Sequence, residues 1–168
     1  LLIIKHKNNI DVRGSLRETY SKKVFKHNKF IFEYCTISKK NSLRGFHYQY
    51  KYQQAKYVNV IKGKILDCVI DLRKNSKTFG KFFSIKIKED SNFSIFIPEN
   101  FAHGFACLSK TCTLYYRCTN YRHKESETTL RWNDPDLKIN WNIKKPILSM
   151  KDKSGILLRD IKKNLNYT

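Results

Sequence analysis

Short apolar runs rich in β-branched and aromatic residues recur along the middle of the chain, each closed by residues that favour turns. They lie at Lys29 to Ser38, Lys56 to Ile61, Lys64 to Leu72, Phe82 to Lys88, Phe93 to Ile97 and Thr113 to Thr119. Many short strands at close spacing predict a sandwich or barrel. Lys62-Gly63 falls between two runs, as a tight hairpin requires. Asp90-Ser91-Asn92 marks a second turn, because Asn and Asp side chains bond their own backbone. Helix is limited to Glu18 to His27 and to Ile156 to Leu165, where apolar residues repeat at i, i+4.

With 168 residues, 40% hydrophobic and 14% aromatic, the chain can bury one core and is expected to form one domain over 1–168. The longest apolar stretches, Leu1 to Ile4 and Phe93 to Pro98, fall well short of the roughly 20 residues of a membrane helix. No secretory leader pattern appears either, so a soluble cytoplasmic protein without a membrane partner is expected. The five cysteines are odd in number and form no pair of CxxC motifs, which predicts reduced, mostly buried thiols rather than a zinc site.

A net charge of +20 raises nucleic-acid binding. Its layout argues against it: the lysines come as scattered pairs such as Lys22-Lys23, Lys39-Lys40 and Lys144-Lys145, without a recognised nucleic-acid-binding signature. A preference for small anionic ligands fits the charge better.

Three clusters can carry chemistry. In Leu43-Arg44-Gly45-Phe46-His47-Tyr48-Gln49, Arg44 and His47 stand three apart and would face opposite sides of an ideal strand. A bulge or turn at Gly45 would re-aim one of them. In Ile97-Pro98-Glu99-Asn100-Phe101-Ala102-His103, a proline turn delivers a histidine into the next apolar strand. Cupin barrels place a metal ligand in such a segment, paired with His-x-His. Here the earlier segment reads His47-Tyr48-Gln49, and two isolated histidines with no nearby carboxylate do not complete a zinc or iron ligand set, so no metal is expected. The third cluster comprises Tyr115-Tyr116-Arg117, Lys56 and Ser149-Met150-Lys151-Asp152. Taken singly, these residues read as ordinary core tyrosine and solvated surface charge.

Taken in order, the segments resemble the dTDP-4-dehydrorhamnose 3,5-epimerase family. The likeness runs from Asp11-Val12-Arg13-Gly14 with Glu18 through Leu43 to Gln49, Gln54-Ala55-Lys56 and Asp71-Leu72-Arg73. It continues through Ile97-Pro98 to Phe105, Tyr116 with Thr119-Asn120-Tyr121, Trp132-Asn133-Asp134 and Leu148 to Asp152. The resemblance implies a mainly β, cupin-like jelly-roll barrel with short peripheral helices. It also implies a homodimer, a sugar-nucleotide substrate, and neither cofactor nor metal. The chain starts just before the strand leading to Arg13, where the family is expected to have one further N-terminal strand.

A 4-keto group acidifies the hydrogens on its two flanking carbons. Inverting them takes a base on one face, an acid on the other, and a group that stabilises the enolate between. By resemblance His47 is the base, Asp152 orients its imidazole, Lys56 stands beside the enolate oxygen, and Tyr116 is the acid. Arg44 and His103 would hold the sugar and diphosphate, with Arg suited to bidentate phosphate contacts. Arg13, Glu18, Glu127, Lys151 and Arg122 are carried over as substrate-binding, with Arg13 and Glu18 reaching the neighbouring subunit's site. Phe32 and Tyr34 stand where the family commonly has Gln and Asn, Arg122 replaces an aromatic, and Ser15 replaces a Phe. All are expected in the nucleotide region, which implies altered base recognition around an intact catalytic set. A non-catalytic sugar-nucleotide binding module and an epimerase of GDP-linked 4-keto sugars are the competing readings.

Overall fold

The computed structural model describes residues 1–164. Twelve strands dominate: β1 Leu2–Lys5, β2 Asn8–Asp11, β3 Gly14–Arg17, β4 Phe32–Lys39, β5 Leu43–Gln49, β6 Lys56–Lys62, β7 Lys64–Asp71, β8 Phe82–Lys88, β9 Phe93–Ile97, β10 Phe101–Cys107, β11 Thr111–Cys118 and β12 Glu127–Thr129. Two short helices follow, α1 Met150–Lys153 and α2 Leu158–Asn164. The strands form two five-stranded sheets, ordered β1-β9-β6-β11-β4 and β12-β5-β10-β7-β8, with β2 and β3 as a separate hairpin. The expected jelly-roll architecture is present.

Side-chain alternation explains how the sheets pack. Along β7, Ile65 and Val69 point between the sheets, where they meet Val58, Val60, Ile95, Leu114 and Phe105. Leu66, Cys68 and Ile70 point the other way, into a second cluster closed by Leu130, Leu137, Trp141, Leu158 and Ile161. Both faces of this strand therefore bury apolar residues, which is why Ile65, Leu66, Cys68, Val69 and Ile70 follow one another with only Asp67 between them. The outer face of the first sheet is covered near Tyr57 and Phe96 by Tyr20, Phe25 and Phe30. Four of the five cysteines are buried and all are free, whereas Cys35 is exposed.

Two expected elements are different in the structure. Glu18 to His27 is not helical; it is a run of turns closed by Val24 N–H to Ser21 O at 3.1 Å and Asn28 N–H to Phe25 O at 3.2 Å. Aromatic packing decides this, because Phe25 is buried against Tyr57, with ring centroids 4.7 Å apart, while its neighbour Val24 stays exposed. Nor is Lys62-Gly63 a hairpin turn: β6 and β7 lie in different sheets, and Gly63 is the corner between them. The C-terminal helix begins at Leu158 because Ile156 is taken up in a bridge to Leu130, and Leu165 lies outside the described residues. The Leu158 N–H is held by the buried Asp134 carboxylate at 2.7 Å.

Gly63 has φ 80°, and a Cβ there would stand 2.1 Å from Thr111 O. Gly63→Ala is expected to lower stability by at least about 1 kcal/mol, the cost of left-handed backbone alone, read as a lower urea midpoint at unchanged slope.

Candidate active site

A cavity of about 320 Å³ opens between the two sheets, within the size range of small-ligand sites. The first sheet lines it with Phe32, Tyr34 and Thr36 from β4, Lys56 from β6 and Tyr116 from β11. The second contributes Arg44, His47 and Gln49 from β5, His103 and Phe105 from β10, and Glu127 from β12. Gln54 and Arg122 complete the wall from connecting segments.

Arg44 and His47 both reach this cavity because the strand is bulged between them. His103 pairs with His47, yet Phe105 pairs with Arg44, so between these pairs one residue on β10, Gly104, opposes two on β5, Gly45 and Phe46. Gly45 makes this possible with φ 117°; a Cβ there would meet Gly104 Cα at 2.5 Å. The slip turns the expected opposite-facing pair into neighbours on one wall.

The His47 Nε2–H donates to Asp152 Oδ1 at 2.7 Å. Asp152, only 3% exposed, is placed by the start of α1. Its backbone N–H donates to Ser149 Oγ at 3.1 Å while the Ser149 hydroxyl donates back to Oδ2 at 2.7 Å, a reciprocal capping arrangement. The Gly45 N–H donates to the same Oδ1 at 3.2 Å, so one carboxylate secures both the imidazole and the bulge. Burial raises the Asp152 pKa, but the hydrogen bonds from His47, Ser149 and Gly45 outweigh it and leave the group below its usual value. Asp152 is therefore ionised and orients the ring.

Opposite stands Tyr116, 3% exposed. Burial first, then the neighbouring Tyr34 and Asp67, raises its pKa well above the usual phenol range, so the hydroxyl keeps its proton. Lys56 is 8% exposed, and its Nζ lies 3.5 Å from His47 O. Burial lowers its pKa against the raising influence of Cys118, Glu127 and Asp67. Among the described residues neither Lys56 nor Arg44 has a carboxylate within ion-pair distance. Arg44 is steered by Ser38 Oγ at 2.9 Å and Ile37 O at 3.2 Å, which leaves two cations for a ligand's oxygens.

His103 is paired with Asp67 Oδ2 at 2.8 Å, both side chains being almost fully buried. This corrects the reading of two histidines without a nearby carboxylate, since each has one across the fold. Asp67 is the residue that sequence reasoning missed, whereas Ser149 was named within its cluster but given no role. An acid at the inward position between Ile65 and Val69 was the signal for Asp67. The reading of Lys56 and Asp152, taken singly, as solvated surface is also overturned by their burial.

At the mouth, Glu127 receives Arg122 at 2.7 Å and Lys151 at 3.1 Å. Burial raises its pKa, and these two partners bring it below the usual value. Arg13 and Glu18 lie elsewhere in this chain: Arg13 is exposed on the hairpin and bonded to Asp11 at 2.6 Å, while Glu18 borders a shallow hollow beside His6 and Tyr20. Of the departing residues, Tyr34 lies directly on Tyr116, with centroids 4.6 Å apart and planes 9° apart.

An imidazole held by a carboxylate, a protonated phenol on the facing sheet and a buried unpaired cation match the needs of proton removal and return beside a carbonyl. Comparison with known proteins agrees with this geometry: the profile described as dTDP-4-dehydrorhamnose 3,5-epimerase matches residues 1–160. The chain belongs to the dTDP-4-dehydrorhamnose 3,5-epimerase family. It is thus an isomerase of the nucleotide-sugar epimerase class. The family's enzyme from Methanothermobacter thermautotrophicus is 37% identical over 166 residues, covering 95% of this chain and 90% of that protein. The Escherichia coli enzyme is 36% identical over 168 residues, covering 96% and 91%. A crystal structure of dTDP-6-deoxy-D-glucose-3,5-epimerase from Legionella pneumophila, in complex with dTDP-4-keto-L-rhamnose, superposes with a TM-score of 0.92 at 35% identity, covering 97% of this chain and 90% of that one.

The lowered Asp152 pKa has a defined sign. A depressed carboxylate adds stability that is present above its unfolded value and lost as pH falls through its folded value. Urea midpoints are expected to fall on acidification below about pH 4, and less steeply in Asp152→Asn than in the wild type.

Proposed function

We propose that the protein inverts C3 and C5 of dTDP-4-dehydro-6-deoxy-D-glucose, giving dTDP-4-dehydro-L-rhamnose. His47, oriented by Asp152, removes the proton next to the 4-keto group. Lys56 stands beside the carbonyl oxygen, where an ammonium stabilises the enolate more than the ketone and so lowers the barrier. Tyr116 returns a proton from the other face, and its phenol is replenished from solvent. Arg44 and His103 hold the sugar and diphosphate. Glu127, Lys151 and Arg122 meet the nucleotide end, and Arg13 and Glu18 serve the partner's site in a cytoplasmic homodimer.

The observation that supports this reading is that the two side chains stand on facing walls: His47 projects from β5 of one sheet and Tyr116 from β11 of the other. A ring lying between them is met from both faces, which inversion requires and binding alone does not. Phe32 and Arg122 in the cavity wall favour a second reading of the base, in which the same chemistry acts on a GDP-linked 4-keto sugar.

Incubation in heavy water with the dTDP-linked and, separately, a GDP-linked 4-keto-6-deoxy sugar tests both, with deuterium incorporation followed by NMR. His47→Ala is expected to lose exchange at both carbons by at least about 100-fold, the usual contribution of general base catalysis. Tyr116→Phe should exchange protons yet release little inverted sugar. Exchange at wild-type rate in His47→Ala contradicts the base assignment, and absence of exchange with either nucleotide contradicts the substrate class.

A further inference from the structure

Tyr116 has to return its proton from a fixed direction, although a tyrosine side chain can swing about two bonds. Its ring is confined on two sides. His103 meets it edge-on, with centroids 6.0 Å apart at 61°, and is itself anchored by Asp67. Tyr34 covers its face. The two tyrosines are direct cross-strand partners of β4 and β11, so the stack is built into the register. Phe32 leans on Tyr34 at 5.4 Å and in turn meets Tyr121 at 5.9 Å, which backs the stack with further rings. Burial raises the Tyr34 pKa, with the Cys118 thiol beside it, so Tyr34 is a neutral ring and no second base.

We infer that Tyr34 is a positioning residue: its ring fixes the plane of Tyr116 and thereby sets how often an abstracted proton is returned on the opposite face. The inference rests on the reading of Tyr116 as the acid. Tyr34 acts only after the enolate has formed. Its loss separates the two halves of the reaction, slowing inversion while His47 continues to remove the proton.

The test measures deuterium exchange and inverted product in the same heavy-water incubation, for wild type, Tyr34→Phe and Tyr34→Leu. Tyr34→Phe keeps the ring and should keep the wild-type ratio of exchange to inversion. Tyr34→Leu fills the space without a ring, and the ratio should rise about two- to tenfold, the range that a stacked aromatic contact accounts for. A merely structural role lowers exchange and inversion together. An unchanged ratio in Tyr34→Leu, or an equal rise in Tyr34→Phe, overturns the inference while leaving the epimerase reading intact. A wild type that exchanges no proton with any 4-keto sugar overturns both.

Discussion

The hydrogen bond between His47 and Asp152 is the contact on which the site depends. Asp152 lies 105 residues from His47 in sequence. It reaches the imidazole only because the C-terminal segment folds back over the outer face of the second sheet, where Leu137, Trp141, Leu158 and Ile161 join the Leu43, Phe46 and Ile70 cluster. The same carboxylate oxygen takes the Gly45 N–H, so the bulge that aims Arg44 and His47 into one cavity is fixed by the group that orients the His47 imidazole. Packing of the C-terminal segment, backbone geometry of β5 and the chemistry of the imidazole are thus one arrangement. A buried carboxylate is costly unless its oxygens are bonded. Here His47, Ser149 and Gly45 supply those bonds.

Electrostatics divides the cavity into unpaired and paired cations. Lys56 and Arg44 are cations without a carboxylate partner among the described residues, whereas at the mouth Glu127 neutralises Arg122 and Lys151. An anionic or electron-rich ligand oxygen gains most at Lys56, which is buried as well as unpaired, since burial strengthens such contacts. Burial also assigns opposite roles to the two titratable groups on the first sheet: it keeps the Tyr116 phenol protonated and lowers the affinity of Lys56 for its proton until an anion forms beside it. No metal-binding group is required in this scheme, and no helix among the described residues is long and apolar enough to cross a membrane.

How much could be read in advance depended on how local the cause was. The runs at Phe82 to Lys88 and Phe93 to Ile97 match strands residue for residue, because alternation and turn residues specify them locally. Lys62-Gly63 has the local signature of a hairpin, but whether two strands pair or pass to different sheets is decided by distant partners such as Thr111. Glu18 to His27 has no strong breaker, and only the aromatic pocket around Phe25 holds it in turns. For the site, the possibility of a bulge at Gly45 was visible from spacing alone, while the roles of Asp152, Lys56 and Tyr116 came through family resemblance. Asp67 went unnoticed because an acid in an apolar strand has meaning only once His103 is seen beside it.

The central claim is that a sugar ring lies between His47 and Tyr116, and a crystal structure with a bound dTDP-linked 6-deoxy sugar tests it most directly. The account predicts His47 within about 3.5 Å of C3 or C5 on one face, the distance needed for reaction, with the Tyr116 hydroxyl facing the other and the C4 oxygen beside Lys56. A sugar held outside the cavity, or one with both side chains on the same face of its ring, would contradict it.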